Sequence, residues 1–229
     1  MKIERFQIDT IPAVLYGEPA ERGYLFLHGQ MGRKEEAEAF AQVACSKGYQ
    51  VLTIDLPAHG ERQNREEELL PWTAVPDIRA ALDWADHHWK TVSLRANSIG
   101  AYFAMLAFDA PSRVLLVSPI LDMEDLILTM MGWAGVTEGQ LQERGEIATS
   151  FGQTLSWKYL CWVREYPIHN WTCPIRILYG NQDNMTSRQT IDGFVRQHDA
   201  ELTVVEGGEH WFHTPEQLAI LREWEEIET

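Results

Sequence analysis

The sequence predicts an α/β protein in which a mostly parallel sheet of about eight strands carries helices on both faces. Three observations predict it. Short β-rich runs alternate with longer runs of helical periodicity along nearly the whole chain of 229 residues. Runs expected at the sheet centre, such as "GYLFLHG" (residues 23–29), are apolar without a break, as strands covered on both faces must be. Several of these runs end in glycine or proline, which punctuate the change from strand to helix. Strands joined through helices imply right-handed crossovers and hence parallel neighbours.

The elements follow in order. "RFQIDTIPAVLYGE" (residues 5–18) reads as two strands with a turn near Thr10 to Pro12, and residues 23–29 as the third. Residues 33–48 have helical spacing and close on Gly48 at the C′ position. "YQVLTIDLP" (49–57) is a β-branched strand, and residues 75–89 a helix that tolerates Pro76 near its start. "TVSLRAN" is the fifth strand, and "IGAYFAMLAFDA" a helix apolar nearly all round, hence buried. Residues 113–119, 175–180 and 201–207 complete the strands, with helices over 187–198 and 214–227. Between the sixth and seventh strands, residues 120–172 contain no clear strand but hold Trp133, Trp157, Trp162 and Trp171. This stretch reads as a helical cap or lid inserted at the carboxyl edge of one domain spanning residues 1–229, where ligands of such folds bind.

Bulk properties exclude several classes. The formal net charge of −15 leaves no basic face for nucleic acid or an anionic membrane. Cys45, Cys161 and Cys173 are odd in number and form no CxxC, which supports neither a disulfide framework nor a zinc site. "MKIERFQIDT" lacks the apolar stretch of a secretory leader, and no run of 18 apolar residues suggests a membrane span. The expected location is the cytoplasm, and no metal or organic cofactor is expected.

Four positions carry the chemistry. In "ANSIG", Ser98 stands where the fifth strand turns into a helix, with small residues, Ala96 and Gly100, two before and two after. A serine there serves as an ordinary helix cap or as a nucleophile raised on a tight elbow. The glycine-rich turn "LHGQMG" follows the third strand and offers Gln30 N–H as an oxyanion donor, with Ile99 N–H as the second. Asp183 in "YGNQD" follows a strand that ends in glycine, and His210 in "GGEHWF" lies three residues past Gly207. Trp211 and Phe212 are expected to anchor that loop by burial. His213, next to the helix start at Thr214 and Pro215, is expected to face outward. Ser98, Asp183 and His210, in that order and each at a strand's carboxyl end, form a nucleophile, acid and base set.

These motifs resemble the α/β-hydrolase superfamily over nearly the whole chain, "DLPAHGER" after the fourth strand included. The resemblance implies an α/β-hydrolase fold with a cap after the sixth strand. It also implies Ser98 as nucleophile, His210 as base, Asp183 as acid, and Gln30 and Ile99 as the oxyanion hole. It makes Asp55 and His59 scaffold. Some members carry the acid one strand earlier, where Asp122 stands. The expected activity is a serine esterase acting on a small, apolar acyl substrate. A thioesterase, a short-peptide hydrolase and a carbon–carbon bond hydrolase use the same set, and a non-catalytic binder can share the fold. Arg33, Lys34, Arg62 and Arg65 lie in loops near the site but form no cluster for the phosphates of a CoA thioester. A homodimer paired through the cap helices has no self-complementary patch in the sequence to support it.

Overall fold

Strands form where side chains bury in both directions, and β3 (Arg22–Leu27) shows why: Leu25 and Leu27 enter one core, Tyr24 and Phe26 the other. The structure, a computed structural model, describes residues 1–66 and 68–229. β1 (Ile3–Ile8) and β2 (Ile11–Tyr16) are antiparallel, and β2 runs antiparallel to β4 (Gln50–Ile54). β3, β4, β5 (Thr91–Asn97) and β6 (Val114–Val117) are parallel. Within residues 120–172 lie α4 (Met123–Ala134), α5 (Glu138–Arg144), a hairpin of β7 (Glu146–Ala148) with β8 (Thr154–Ser156), and α6 (Trp157–Glu165). β9 (Ile175–Gly180) and β10 (Glu201–Val205) finish the main sheet in the order β1-β2-β4-β3-β5-β6-β9-β10. Eight strands, six of them parallel, match the expected fold class.

Helices cover both faces. α2 (Pro71–His88), α3 (Ser98–Ala107) and α7 (Arg188–His198) pack on one side, α1 (Ala37–Ser46) and α8 (Pro215–Glu228) on the other. α1 ends as predicted, with Gly48 at φ +80° and the Tyr49 N–H returning to Ala44 O at 3.1 Å. α2 starts four residues before the apolar spacing suggests. Pro71 takes the first-turn position, where its missing N–H costs nothing, and Pro76 therefore falls inside the helix.

The small hairpin in the 120–172 stretch departs from the helical reading. Its strands have three residues each, too few for a period-2 pattern to register. Arg164 on α6 ties this stretch together, reaching Glu124 on α4 at 2.6 Å and both carboxylate oxygens of Glu138 on α5 at 2.9 Å. Its tryptophans differ in role. Trp171 is buried and donates from Nε1 to Phe108 O at 2.6 Å, whereas Trp133 is half exposed.

One charged residue lies in the middle of the sheet. Arg95 of β5 is fully buried, and its Nε and Nη2 donate to Glu225 Oε1 of α8 at 2.9 and 2.8 Å. Its Nη1 donates to Asn97 Oδ1 at 2.6 Å. Glu225→Ala, which leaves the guanidinium buried and unpaired, is expected to cost about 3–5 kcal/mol in urea unfolding, whereas Arg95→Met with Glu225→Leu recovers most of that loss. A single variant as stable as the wild type would mean that the pair contributes nothing.

Candidate active site

The site is built on the turn from β5 to α3. Ser98 is held at φ +47°, a left-handed conformation that costs a non-glycine residue about 1–2 kcal/mol. The turn is possible because its neighbours are small. A Cβ on Gly100 would stand 2.4 Å from His28 O, and one on Gly29 would meet the Ser98 Cβ at 3.1 Å. Ala96 is buried without remaining exposure beside β3. The backbone of residues 28–29 therefore lies directly against the serine.

Two other loops converge there. Ser98 Oγ–H donates to His210 Nε2 at 2.8 Å, and His210 Nδ1–H donates to Asp183 Oδ2 at 2.7 Å. The Asp183 side chain is fully buried, and its second oxygen accepts from Met185 N–H at 2.7 Å and Thr186 N–H at 3.1 Å. Both loops rest on a glycine contact: a Cβ on Gly180 would come within 2.3 Å of Gly208 O. Gln182 N–H donates to that same oxygen at 2.8 Å, which locks the Asp183 turn to the His210 turn. The structure thus brings Ser98, His210 and Asp183 into one hydrogen-bonded chain. Asp122 stands elsewhere, exposed as the N-cap of α4 and accepting from Asp125 N–H at 2.9 Å.

The turn carrying Gln30 is set by two histidines. His28 is fully buried; its Nε2 accepts from Leu56 N–H at 3.1 Å and its Nδ1–H donates to Gly29 O at 2.8 Å. His59 Nε2 accepts from Met31 N–H at 2.9 Å, with its Nδ1–H on Pro57 O at 2.8 Å. Gln30 N–H itself makes no hydrogen bond among the described residues. Ile99 N–H lies in the first turn of α3, where no intrahelical acceptor exists.

Below this turn, buried Asp55 accepts from Lys34 Nζ at 2.7 Å, Lys34 N–H at 2.9 Å and Glu61 N–H at 3.0 Å. Asp55 and His59 therefore occupy the scaffold places expected of them. Three of the four nearby cations are engaged, Lys34 on Asp55, Arg62 on Asp77 at 2.6 Å, and Arg65 on Thr10 O at 3.0 Å, whereas Arg33 is exposed.

One expectation fails. Trp211 is 73% exposed and stacks on His213 with ring centroids 4.8 Å apart. His210 and Phe212 both turn inward along this loop, which leaves the residue between them facing out. Sequence reasoning also missed the Arg95 and Glu225 pair beneath Asn97. Its signal was visible as the one charged residue in the strand "TVSLRAN".

The model of the alpha/beta hydrolase family matches residues 24–221. The chain belongs to that family. Curated proteins offer no match in sequence. Among solved structures, this alpha/beta hydrolase is similar to Est1E from Butyrivibrio proteoclasticus, solved with ferulic acid bound, at TM-score 0.77 and 18% identity, covering 98% of this chain and 96% of that one. It is also similar to mouse alpha/beta hydrolase domain-containing protein 10, at TM-score 0.70 and 14% identity over 98% and 96% of the two chains. An esterase of Pyrococcus furiosus aligns at TM-score 0.67 and 15% identity over 99% and 88%. At such identities the likeness is one of fold. Among the described residues, no helix is long and apolar enough to cross a membrane, and no group of His, Cys, Asp and Glu is placed to hold a metal ion.

Burial pulls the His28 value down from its ordinary 6.5 to about 4. Between those values the unfolded chain binds a proton that the folded one refuses. Stability that is complete above pH 6.5 is therefore expected to fall as the pH drops toward 4, by about 3 kcal/mol from this group. Urea unfolding of the wild type and of His28→Gln across that range tests it: the acid slope should flatten in the variant. Parallel slopes would remove His28 from the account.

Proposed function

We propose that this protein is a serine hydrolase that cleaves an ester-type acyl bond in a small, mainly apolar substrate. The observation that carries the reading is the unbroken chain from Ser98 Oγ through His210 to buried Asp183, mounted on a left-handed serine turn. An N-cap serine needs neither the imidazole nor the strain.

In this reading Ser98 Oγ attacks the acyl carbon while His210 Nε2 takes its proton. Asp183 holds the Nδ1–H tautomer and stabilises the imidazolium that forms. The tetrahedral oxyanion lies against Gln30 and Ile99 N–H, two donors not spent elsewhere. His210 returns the proton to the leaving group as the carbon–oxygen bond breaks. Water, deprotonated by the same histidine, then attacks the acyl-serine, the acid departs, and Ser98 regains its proton.

Residues 120–172 act as the cap of a single domain, roofing the acyl pocket with α4 and α6. Three unpaired cysteines accord with a reducing, cytoplasmic setting. An ester is preferred over a CoA thioester because Lys34, Arg62 and Arg65 are already engaged with protein partners, and exposed Arg33 by itself makes no phosphate-binding cluster.

A fluorophosphonate should label Ser98 and no other serine, as read by peptide mass spectrometry, and Ser98→Ala should lose at least about 10³-fold in turnover of p-nitrophenyl esters. Wild-type rates in that variant would sink the assignment. Asp183→Asn should lower kcat by about 10³- to 10⁴-fold while the thermal midpoint shows the fold intact, because an amide favours the wrong histidine tautomer. A loss below about tenfold would leave the acid unidentified.

A further inference from the structure

Two neighbouring strands are each followed by a serine in the left-handed conformation. Ser98 comes directly after β5, and Ser118, buried at φ +44°, directly after β6. Backbone held in such a conformation persists only where its surroundings over-determine it. Ser118 N–H donates to Leu178 O at 2.9 Å, and Pro119, whose ring fixes its own φ, comes next. The turn they make presents two groups. Ile120 N–H donates to Ser98 O, the carbonyl of the candidate nucleophile, at 3.1 Å. Pro119 O accepts from Thr186 Oγ1–H, in the turn after β9, at 2.9 Å.

Thr186 is buried, and each of its polar groups is engaged. Besides the hydroxyl, its N–H donates to Asp183 Oδ1 at 3.1 Å and its carbonyl accepts from Tyr179 Oη–H at 3.0 Å. Asp183 is therefore joined to Ser98 by two routes. One runs through the imidazole of His210. The other runs through Thr186, Pro119 and Ile120, and together they close a ring. Among the described residues, no other hydrogen bond joins residues 181–187 to residues 118–122.

The imidazole is one rigid ring, so its two hydrogen bonds form together only when the gap between Ser98 Oγ and Asp183 Oδ2 matches its width. Productive geometry tolerates an error of only about 0.5 Å. The sheet does not set that gap by itself, because β6 lies between β5 and β9 and Asp183 stands beyond the end of β9. The contact of Gly180 with Gly208 ties the acid to the base, not to the nucleophile. We infer that the Thr186 hydroxyl is a positioning group, which braces the Asp183 turn on the turn after β6 and so fixes the gap that His210 spans. The inference rests on the serine hydrolase reading. Valine at this position keeps the shape and the N–H to Asp183 but leaves Pro119 O without its donor.

Thr186→Val is expected to lower kcat for p-nitrophenyl butyrate about 5- to 20-fold with KM within about twofold, since the group moves reacting atoms without touching substrate. Thr186→Ser, which keeps the hydroxyl, is expected to stay within about threefold of the wild-type kcat. In proton NMR of the resting protein, the low-field resonance of His210 Nδ1–H should move upfield in the valine variant and stay in place in the serine variant. A valine variant with wild-type kcat, or with an unmoved resonance, would overturn the inference. Equal losses in both variants would also overturn it, because packing and not the hydroxyl would then be responsible. So would a valine variant that no longer folds, which would make the hydroxyl a requirement of the core. The two readings fail separately: absent labelling and turnover sink the hydrolase, while the resonance reports on the brace without any chemistry.

Discussion

The structure around the site depends on one close approach of backbone to backbone, where the end of β3 meets the first turn of α3. Gly100 lies so near His28 O that any side chain there would collide at 2.4 Å. This contact pins α3 against the sheet three residues after a strand locked on both sides, by Leu27 opposite Ala96 and by Val117 opposite Asn97. The chain has no room to relax, so Ser98 takes the left-handed conformation and its hydroxyl stands clear of the helix. The same approach lays Gly29 over the serine and sets where the following N–H groups lie.

The remaining loops reach that turn by two kinds of attachment. On one side the link is glycine against glycine, Gly180 on Gly208, which lets two turns pack as closely as strands and carries Asp183 to His210. On the other side the links are side chains that accept backbone N–H groups: His28 from Leu56, His59 from Met31, and Asp55 from Lys34 and Glu61. Satisfying loop N–H groups with buried side chains lets irregular backbone lie deep without an orphaned donor. It also makes that half of the site sensitive to the protonation of His28, which the glycine-built half is not.

The parts legible in the sequence share one property: each is dictated locally. Unbroken apolar runs marked the strands, Gly48 marked a helix end, and the small residues around Ser98 marked the elbow because a tight turn excludes side chains by sterics alone. Features set by distant partners were not legible in that way. Arg95 was visible as an oddity, but its partner lies 130 residues away on α8. The first turn of α2 and the three-residue strands of the 120–172 hairpin owe their form to packing, not to a periodic pattern. Trp211 illustrates the limit. Hydrophobicity predicted burial, yet the inward turns of its neighbours His210 and Phe212 left it facing solvent.

The buried charges divide into two designs, and the division bears on how the proposed chemistry would run. Arg95 with Glu225 is a pair, and Lys34 meets Asp55 together with Glu35 and Glu61, so buried Glu225 and buried Asp55 each face a full opposite charge. Asp183 is equally buried but has no lysine or arginine partner among the described ion pairs. Its oxygens are met by two backbone N–H groups and by the imidazole of His210. Amide dipoles hold a carboxylate in place without cancelling its charge. Under the proposed mechanism that charge stays available at the moment His210 becomes a cation, when the interaction is needed most. A lysine at the same place would stabilise Asp183 more in the resting protein and less in the transition state, where stabilisation raises the rate.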